Sequence, residues 1–439
     1  MSTTYTDTQI MMTLAALAAT AATPRPSGET WEAQQRRISK GITVQLADTK
    51  LATQGAWTLT WAGLTRSGAN LAYIAKSTDN GNGSVYALVL RGTVGGSPID
   101  TAEDMQVGIM LPFAAGGTTG NISQGAMEAF TDIVMGTDLV PEIQACNPGT
   151  LYVVGHSLGG AMVTTVSLYL AASGIVPATA IQPYTFAAPT AGDATFAGWF
   201  SSQFPTAIRT VNIYDLVPHA WETLKYLAEG EYIDKGLKKN PYYPFYPGSG
   251  DTPKGPGPTS GPPPGNLIGD VIKGVLGDLN GMSYAQPAEQ LSLNIGLEPL
   301  FQWTYPSDAT GSAVRQFEVQ VGFQHANNTY LALLDAPTLP PKAPVVASVS
   351  PASGPPGTPV TITPPAHMHF APDSAVDFGI VPVPCTVAKD GTSITAVAPQ
   401  GVGTVDIRVT NKFGTSPAVP VYPNLTPDTY SDQFTFTAS

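Results

Sequence analysis

The chain has only two cysteines, Cys146 and Cys385, far apart in the sequence. A disulfide framework is therefore excluded, and neither thiol has a Cys or His partner at ligand spacing, which excludes a thiolate metal site. Charge is scarce as well. Charged residues make up 12%, with 20 basic against 32 acidic side chains, a net charge of −12 and no Lys/Arg-rich run. Nucleic acid is thus not an expected partner, and an acidic surface is repelled by anionic membranes, so contact with lipid falls to apolar residues. The apolar stretch from Ile10 to Ala22 is too short to span a bilayer, so no transmembrane segment is expected. The first positive side chain is Arg25, so the charged leader of a secretory signal is missing from the sequence as it stands. Ile10, Met11, Leu14, Leu17 and Ala21 recur at helical spacing and read as an amphipathic helix packed on a core.

What is present is apolar: 43% hydrophobic and 9% aromatic residues over 439 positions, enough for two packed units. A helix is expected over Glu29–Leu51, then strands over Trp57–Leu64, Leu71–Ala75 and Val85–Leu90. A Gly-rich passage, Gly92–Gly120, precedes one long helix over Ile122–Cys146 and a strand over Leu151–Val154. Helix and strand signals then alternate: helix 158–172, strand 180–186, helix 194–203 and strand 208–213. Such alternation implies parallel strands joined by crossover helices. The stretch from about 238 to 266 holds nine prolines and reads as a surface excursion. A helix over Leu267–Leu279, a last strand over Phe317–Phe323 and a last helix from Ala326 complete the unit.

The expected fold class is therefore α/β, a mostly parallel sheet flanked by helices over residues 1–336, followed by an all-β unit over 343–439. Pro337, Pro340, Pro341 and Pro344 form a stiff hinge between them. Short runs at Val360–Thr363, Ala375–Phe378, Ser393–Val397, Val405–Val409 and Phe434–Thr437 read as the strands of a sandwich.

The chemistry begins at Gly155-His156-Ser157-Leu158-Gly159-Gly160. This G-x-S-x-G lies between the apolar run LYVV and the helical AMVTTVSLYL, the strand-turn-helix that holds a serine in a strained elbow with its hydroxyl exposed. Ser157 is the expected nucleophile, and a serine hydroxyl needs a base. His156 sits inside the elbow, where a packing role is the better reading, and His367 and His369 belong to the all-β unit. Of the remaining two, His325 follows a strand at the end of the α/β unit, as the order Ser, acid, His requires. His219 lies only four residues past Asp215 and more readily lines a cleft. Asp215 is preferred as the acid over Asp193, which is placed to cap a helix. The Leu158 amide and Thr93, after the strand ending at Arg91, are the expected oxyanion donors.

These residues resemble the class 3 (fungal-type) lipase family. The likeness lies in four ordered blocks, Arg91-Gly-Thr, GHSLGG at 155–160, Thr185-Phe-Ala-Ala-Pro-Thr-Ala-Gly192 and Asn212-Ile-Tyr-Asp-Leu-Val-Pro218, with His325 ahead of Tyr330 as a fifth. The resemblance implies an α/β-hydrolase that cleaves acyl esters of acylglycerol type with no metal or cofactor. It implies Ser157, Asp215 and His325 as triad, Thr93 and Leu158 at the oxyanion hole, and a secreted or cell-surface setting, although no leader is seen here. It also implies a lid over Gly95–Gly120, with Ile99, Met105, Val107, Ile109, Met110, Leu111 and Phe113 over the cleft; a packed connection is the equal alternative. The long stretch between Asp215 and His325 departs from the family pattern. The tail resembles IPT/TIG immunoglobulin-like domains through Val349-Ser-Pro-Ala-Ser-Gly-Pro, Gly357-Thr-Pro-Val-Thr-Ile, Val376-Asp-Phe-Gly and Gln433-Phe-Thr-Phe. Such a domain is expected to bind a surface, a polysaccharide or a protein. Two other readings stay open: a non-catalytic surface-binding scaffold with a relict hydrolase domain, and an acyltransferase.

Overall fold

The computed structural model describes residues 4–20, 30–79, 84–91, 107–115, 118–212, 215, 217–222, 281–287, 291–293, 324–339, 344, 346–364, 370–372, 374–411, 414–416 and 432–438. The proline-rich excursion at 238–266, the helix expected over 267–279 and the strand expected over 317–323 lie outside them, as does Thr93.

Among the described residues seven strands build the main sheet: β1 (Trp57–Leu64), β2 (Leu71–Ser77) and β3 (Val85–Arg91), then, beyond a hairpin of β4 (Met110–Ala115) and β5 (Thr118–Ser123), β6 (Thr150–His156), β7 (Ile181–Phe186), β8 (Ile208–Asn212) and β9 (Leu291–Leu293). The spatial order is β1-β2-β3-β6-β7-β8-β9. The first three strands are antiparallel neighbours, and every pair from β3 to β9 is parallel. β9 is an addition to the reading from sequence, which had placed no strand there.

Both faces of this sheet are covered, so alternate residues of one strand enter different cores. In β3, Tyr86, Leu88 and Leu90 join one buried cluster while Ala87 and Val89 join the other. The first cluster is closed by α3 (Gln124–Gly136), α4 (Leu139–Cys146), α5 (Leu158–Ala172) and α6 (Ala194–Gln203). The second is closed by α1 (Asp7–Thr20), α2 (Trp31–Leu46) and α7 (Asn327–Leu333).

Two expectations need correction, and the open choice between a lid and a packed connection is narrowed from residue 107 onward. The helix expected over 122–146 is two helices: Thr137 leaves α3 in an extended conformation, and Pro141 sits in the first turn of α4, where its missing N–H costs nothing. α1 is not amphipathic. Met11, Met12, Thr13, Leu14, Ala15, Ala16, Leu17 and Ala18 are all buried, because the helix lies against β3 and β6 on one side and α7 on another. The stretch from residue 107 onward is not a loose cover. Phe113 is buried with its ring edge-on to Phe130 and Phe196 at 5.1 and 5.7 Å, which makes β4–β5 part of the core. The part of the expected lid before residue 107 lies outside the described residues.

The C-terminal all-β region has a four-stranded and a six-stranded sheet. Val349, Ile362, Val376, Phe378, Ile394, Ile407 and Phe434 from both sheets enclose a cluster of their own. All five strand runs read from the sequence are present, with boundaries moved by one or two residues except at Ala375–Phe378, which is unchanged, and at Thr404–Asn411, which runs two residues further.

Two substitutions test this packing. Leu14→Ala in α1 should cost about 2–5 kcal/mol, because the cavity has no open side into which to collapse. Gly198→Ala, at a helical position with nothing within 4 Å of the added methyl, should instead stabilise by about 0.5–1 kcal/mol. Urea unfolding of both variants reads the signs directly.

Candidate active site

The elbow is built by close approach of strand and helix. A Cβ on Gly155 would lie 2.3 Å from the carbonyl carbon of Gly159, and one on Gly160 would lie 2.7 Å from Cβ of Ala188. With those side chains absent, β6 runs straight into α5 and the turn falls on Ser157, which adopts φ 60°, ψ −134°. Such a conformation costs a non-glycine residue about 1–3 kcal/mol and persists only where the surroundings impose it. Here they do so from both sides: the Ser157 N–H donates to the Phe186 carbonyl at 2.9 Å, and the Ser157 carbonyl accepts from Gly160 and Ala161 at 2.8 and 3.2 Å.

Ser157 Oγ lies 2.8 Å from Nε2 of His325, whose Nδ1 lies 2.8 Å from Oδ2 of Asp215. The three residues singled out in the sequence thus form one hydrogen-bonded chain, spanning 168 positions from serine to histidine. Asp215 has no exposed surface, and its carboxylate has further donors in the Val217 N–H, 3.0 Å from Oδ1, and the Tyr330 hydroxyl, 2.8 Å from Oδ2. A carboxylate facing Nδ1 fixes the imidazole tautomer with its proton on Nδ1, leaving Nε2 as the acceptor toward serine.

Asn212, at the end of β8, organises the approach of the histidine. Its backbone N–H donates to the Tyr330 hydroxyl at 3.0 Å, and its carbonyl accepts from Asp215 N–H at 2.9 Å. Its side-chain Nδ2 donates to both the carbonyl and Oε1 of Gln324, the residue before His325, at 3.1 and 2.7 Å. Nothing local in the sequence marks Asn212, Gln324 or Tyr330 for these duties, because their partners lie more than 100 positions away.

His156 packs against the base. Its ring centroid is 4.7 Å from that of His325 and 5.5 Å from that of Tyr330. Burial holds its pKa well below the ordinary histidine value, and repulsion from His325 adds to the effect, so His156 stays neutral beside the His325 ring. His219 is buried in the 3₁₀ turn Val217–His219, and Ser157 pairs with His325 instead. Asp193 caps α6, accepting from Phe196 N–H at 2.9 Å and from Asn121 Nδ2 at 2.6 Å, as its position suggested. Arg91 of the Arg-Gly-Thr block is buried, and its guanidinium donates to the carbonyls of Gly68 and Ala69; desolvation lowers its pKa to about 9. Leu158 opens α5, so its N–H has no acceptor within the helix and points with the positive end of the helix dipole. The second expected oxyanion donor, Thr93, is outside the described residues.

A mostly parallel sheet with a serine at a strand-to-helix elbow, facing a histidine and an aspartate from later segments, defines an α/β-hydrolase. Residues 87–224 match the profile of the family described as lipase (class 3). The fold is similar to that of the M37 lipase, with a TM-score of 0.53 at 20% identity over 75% of this chain and 93% of that one. Lipase II from Rhizopus niveus aligns over 48% of this chain and 74% of its own, at 22% identity and a TM-score of 0.38. The Lip2 lipase of Yarrowia lipolytica aligns over 50% and 77%, at 17% identity and a TM-score of 0.37. No curated protein matches the chain. Residues 87–224 thus carry the class 3 lipase match, and the fold around them is that of an α/β-hydrolase similar to a solved lipase.

The grip of Asn212 on Gln324 can be tested by stability alone. Asn212→Ala leaves the Gln324 carbonyl buried without that donor and should cost about 1–3 kcal/mol. Asn212→Asp sets a carboxylate against two oxygens and should cost more. Denaturant unfolding that ranks the aspartate variant at or above the alanine variant in stability would contradict this geometry.

Proposed function

We propose that this protein hydrolyses carboxylic esters of the acylglycerol type through an acyl-enzyme on Ser157. The observation that carries the reading is the pair of 2.8 Å contacts linking Ser157, His325 and Asp215. In the first half-reaction Nε2 of His325 takes the proton of Ser157 Oγ as that oxygen bonds to the ester carbonyl carbon. The negative charge moves to the carbonyl oxygen, where the Leu158 amide and, on the family pattern, Thr93 would receive it. Collapse expels the alcohol, which leaves with the proton held by His325. Water then attacks the acyl-enzyme, giving its proton to His325, and the carboxylic acid departs as Ser157 recovers its hydrogen. Asp215 holds the imidazole tautomer and stabilises the imidazolium formed in each half. The reaction as written needs no metal or cofactor.

We read the chain as two domains, 1–336 and 343–439, the second of IPT/TIG type and acting to bind a surface, polysaccharide or protein. Its separate buried cluster supports an independent unit.

A fluorophosphonate probe should label the wild type and leave Ser157→Ala unlabelled; equal labelling of both would exclude Ser157 as nucleophile. Ser157→Ala and His325→Ala should each lose on the order of 10⁶ in kcat, whereas His219→Ala should retain most of it. Hydrolysis of a panel of short, medium and long acyl esters, with and without an oil-water interface, separates lipase from esterase, and product analysis with added alcohols separates either from an acyltransferase. A wild type inactive on the whole panel would favour the relict scaffold. The pH profile tests Tyr330. Tyr330→Phe removes one donor from the Asp215 carboxylate, which then stabilises imidazolium more strongly. The acid limb of kcat/KM should move to higher pH in that variant, and an unmoved limb would deny Tyr330 any hold on the acid.

A further inference from the structure

The long stretch that sets this chain apart, between the aspartate and the histidine, contributes a described segment at 281–287 that lies against the site's supports. Tyr284 is buried and its hydroxyl donates to the Val107 carbonyl at 2.7 Å; the Ala285 N–H donates to the Gly192 carbonyl at 3.0 Å. Gln286 makes the most connections. Its Nε2 donates to the Pro218 carbonyl at 2.8 Å and to the Ala188 carbonyl at 3.3 Å, its Oε1 accepts from Arg209 Nη2 at 2.5 Å, and its N–H donates to Glu222 Oε2 at 2.8 Å.

Each of these partners bears on the catalytic groups. Pro218 follows Val217, whose N–H holds Oδ1 of Asp215. Ala188 is the residue against which Gly160 packs at the elbow. Arg209 lies in β8, three residues before Asn212, and is 2% exposed, so its charge must be answered inside the protein. Gln286 supplies the acceptor, and Glu222, bound to the Gln286 backbone, supplies the opposing charge. One side chain therefore fastens the turn after the acid to the strand before it and to the floor of the elbow.

We propose that Gln286 is a positioning residue for the ester hydrolysis assigned above, setting the turn 215–222 so that the Asp215 carboxylate meets Nδ1 of His325. It touches neither the substrate nor the reacting atoms. The amide is required rather than any side chain of that size, because two carbonyls need a donor while Arg209 needs an acceptor, and only a carboxamide offers both from one carbon. The inference rests on the reading of Ser157, Asp215 and His325 as the catalytic chain.

The test uses the full-length protein with Gln286→Met, which keeps the volume and removes every side-chain hydrogen bond. It adds Gln286→Glu, which keeps the acceptor for Arg209 as an ion pair but turns an oxygen toward the Pro218 and Ala188 carbonyls; Tm is read for both variants to show that they fold. Both variants should lose about ten- to a hundredfold in kcat, the scale of a small misplacement, with KM for a short-chain ester unchanged. A loosened carboxylate stabilises imidazolium less, so the acid limb of kcat/KM should shift to lower pH in both. Ile133→Val, in the same buried cluster as the elbow helix, serves as a comparison that lowers Tm without moving the limb. Wild-type kcat and an unmoved acid limb in both variants, whatever their Tm, overturn the proposal. A wild type that neither hydrolyses esters nor takes a fluorophosphonate label fails one step earlier: there the reading of the site is wrong, and this inference falls with it.

Discussion

A carboxylate with no exposed surface and, among the described residues, no Lys or Arg paired with it is expensive to maintain, and Asp215 is such a group. Its charge is carried by a backbone N–H, a tyrosine hydroxyl and an imidazole, each from a different place in the chain. Removing any one leaves part of a buried charge uncompensated, so the fold must deliver all three together. Much of the remaining architecture follows from that demand. α7 has to return to the end of β8 to bring Tyr330, and the residues just before it have to bring His325. Asn212 completes the return by holding Gln324.

The N-terminal helix belongs to the same requirement, although it is more than 300 positions from the base. Gln9 of α1 donates to the Leu334 carbonyl, which caps α7, and the Leu14 carbonyl accepts from the buried Tyr73 of β2. α1 is wedged between the sheet and α7, which explains why it is buried on every side and carries alanine and methionine where a surface helix would show charge. The histidine is thus seated on a stack that runs from sheet to α1 to α7, and its ring is backed by a neutral His156.

What could be read in advance follows from how local each signal is. Among the foreseen strands of the main sheet, β2 and β3 carry near-continuous apolar runs, as a strand covered on both faces does. The elbow was legible because its glycines and serine are consecutive, and Asp215 and His325, which the structure brings into contact, were singled out because strand order constrains where an acid and a base can lie. α1 was misjudged because apolar residues on one face and small residues on the others satisfy a helical period without revealing that the small face is also covered. The break between α3 and α4 did have a signal, Pro141, whose missing N–H belongs in a first turn. β9 is only three residues long and had none. The contacts of Tyr330, Asn212, Gln324 and Gln286 could not be read, although Asn212 and Tyr330 fall in the family-like blocks: each acts through partners 60 or more positions away, and no window along the sequence contains both ends of such a contact.

The interruption between aspartate and histidine is tolerated for a physical reason that the same contacts supply. Glu222 and Gln286 are 64 positions apart and joined by a 2.8 Å hydrogen bond, so the two ends of the intervening stretch meet at one point. Closing a loop grows costlier only with the logarithm of its length, by roughly 0.6 kcal/mol per doubling. Lengthening that excursion therefore changes stability little, provided the two ends stay fixed. What it cannot change is the seam where it closes, because there a buried arginine, a glutamate and a carboxamide satisfy one another beside the turn that carries the acid. The seam, unlike the length of the stretch it closes, is therefore held fixed, and it sets Gln286 behind the turn that carries Asp215.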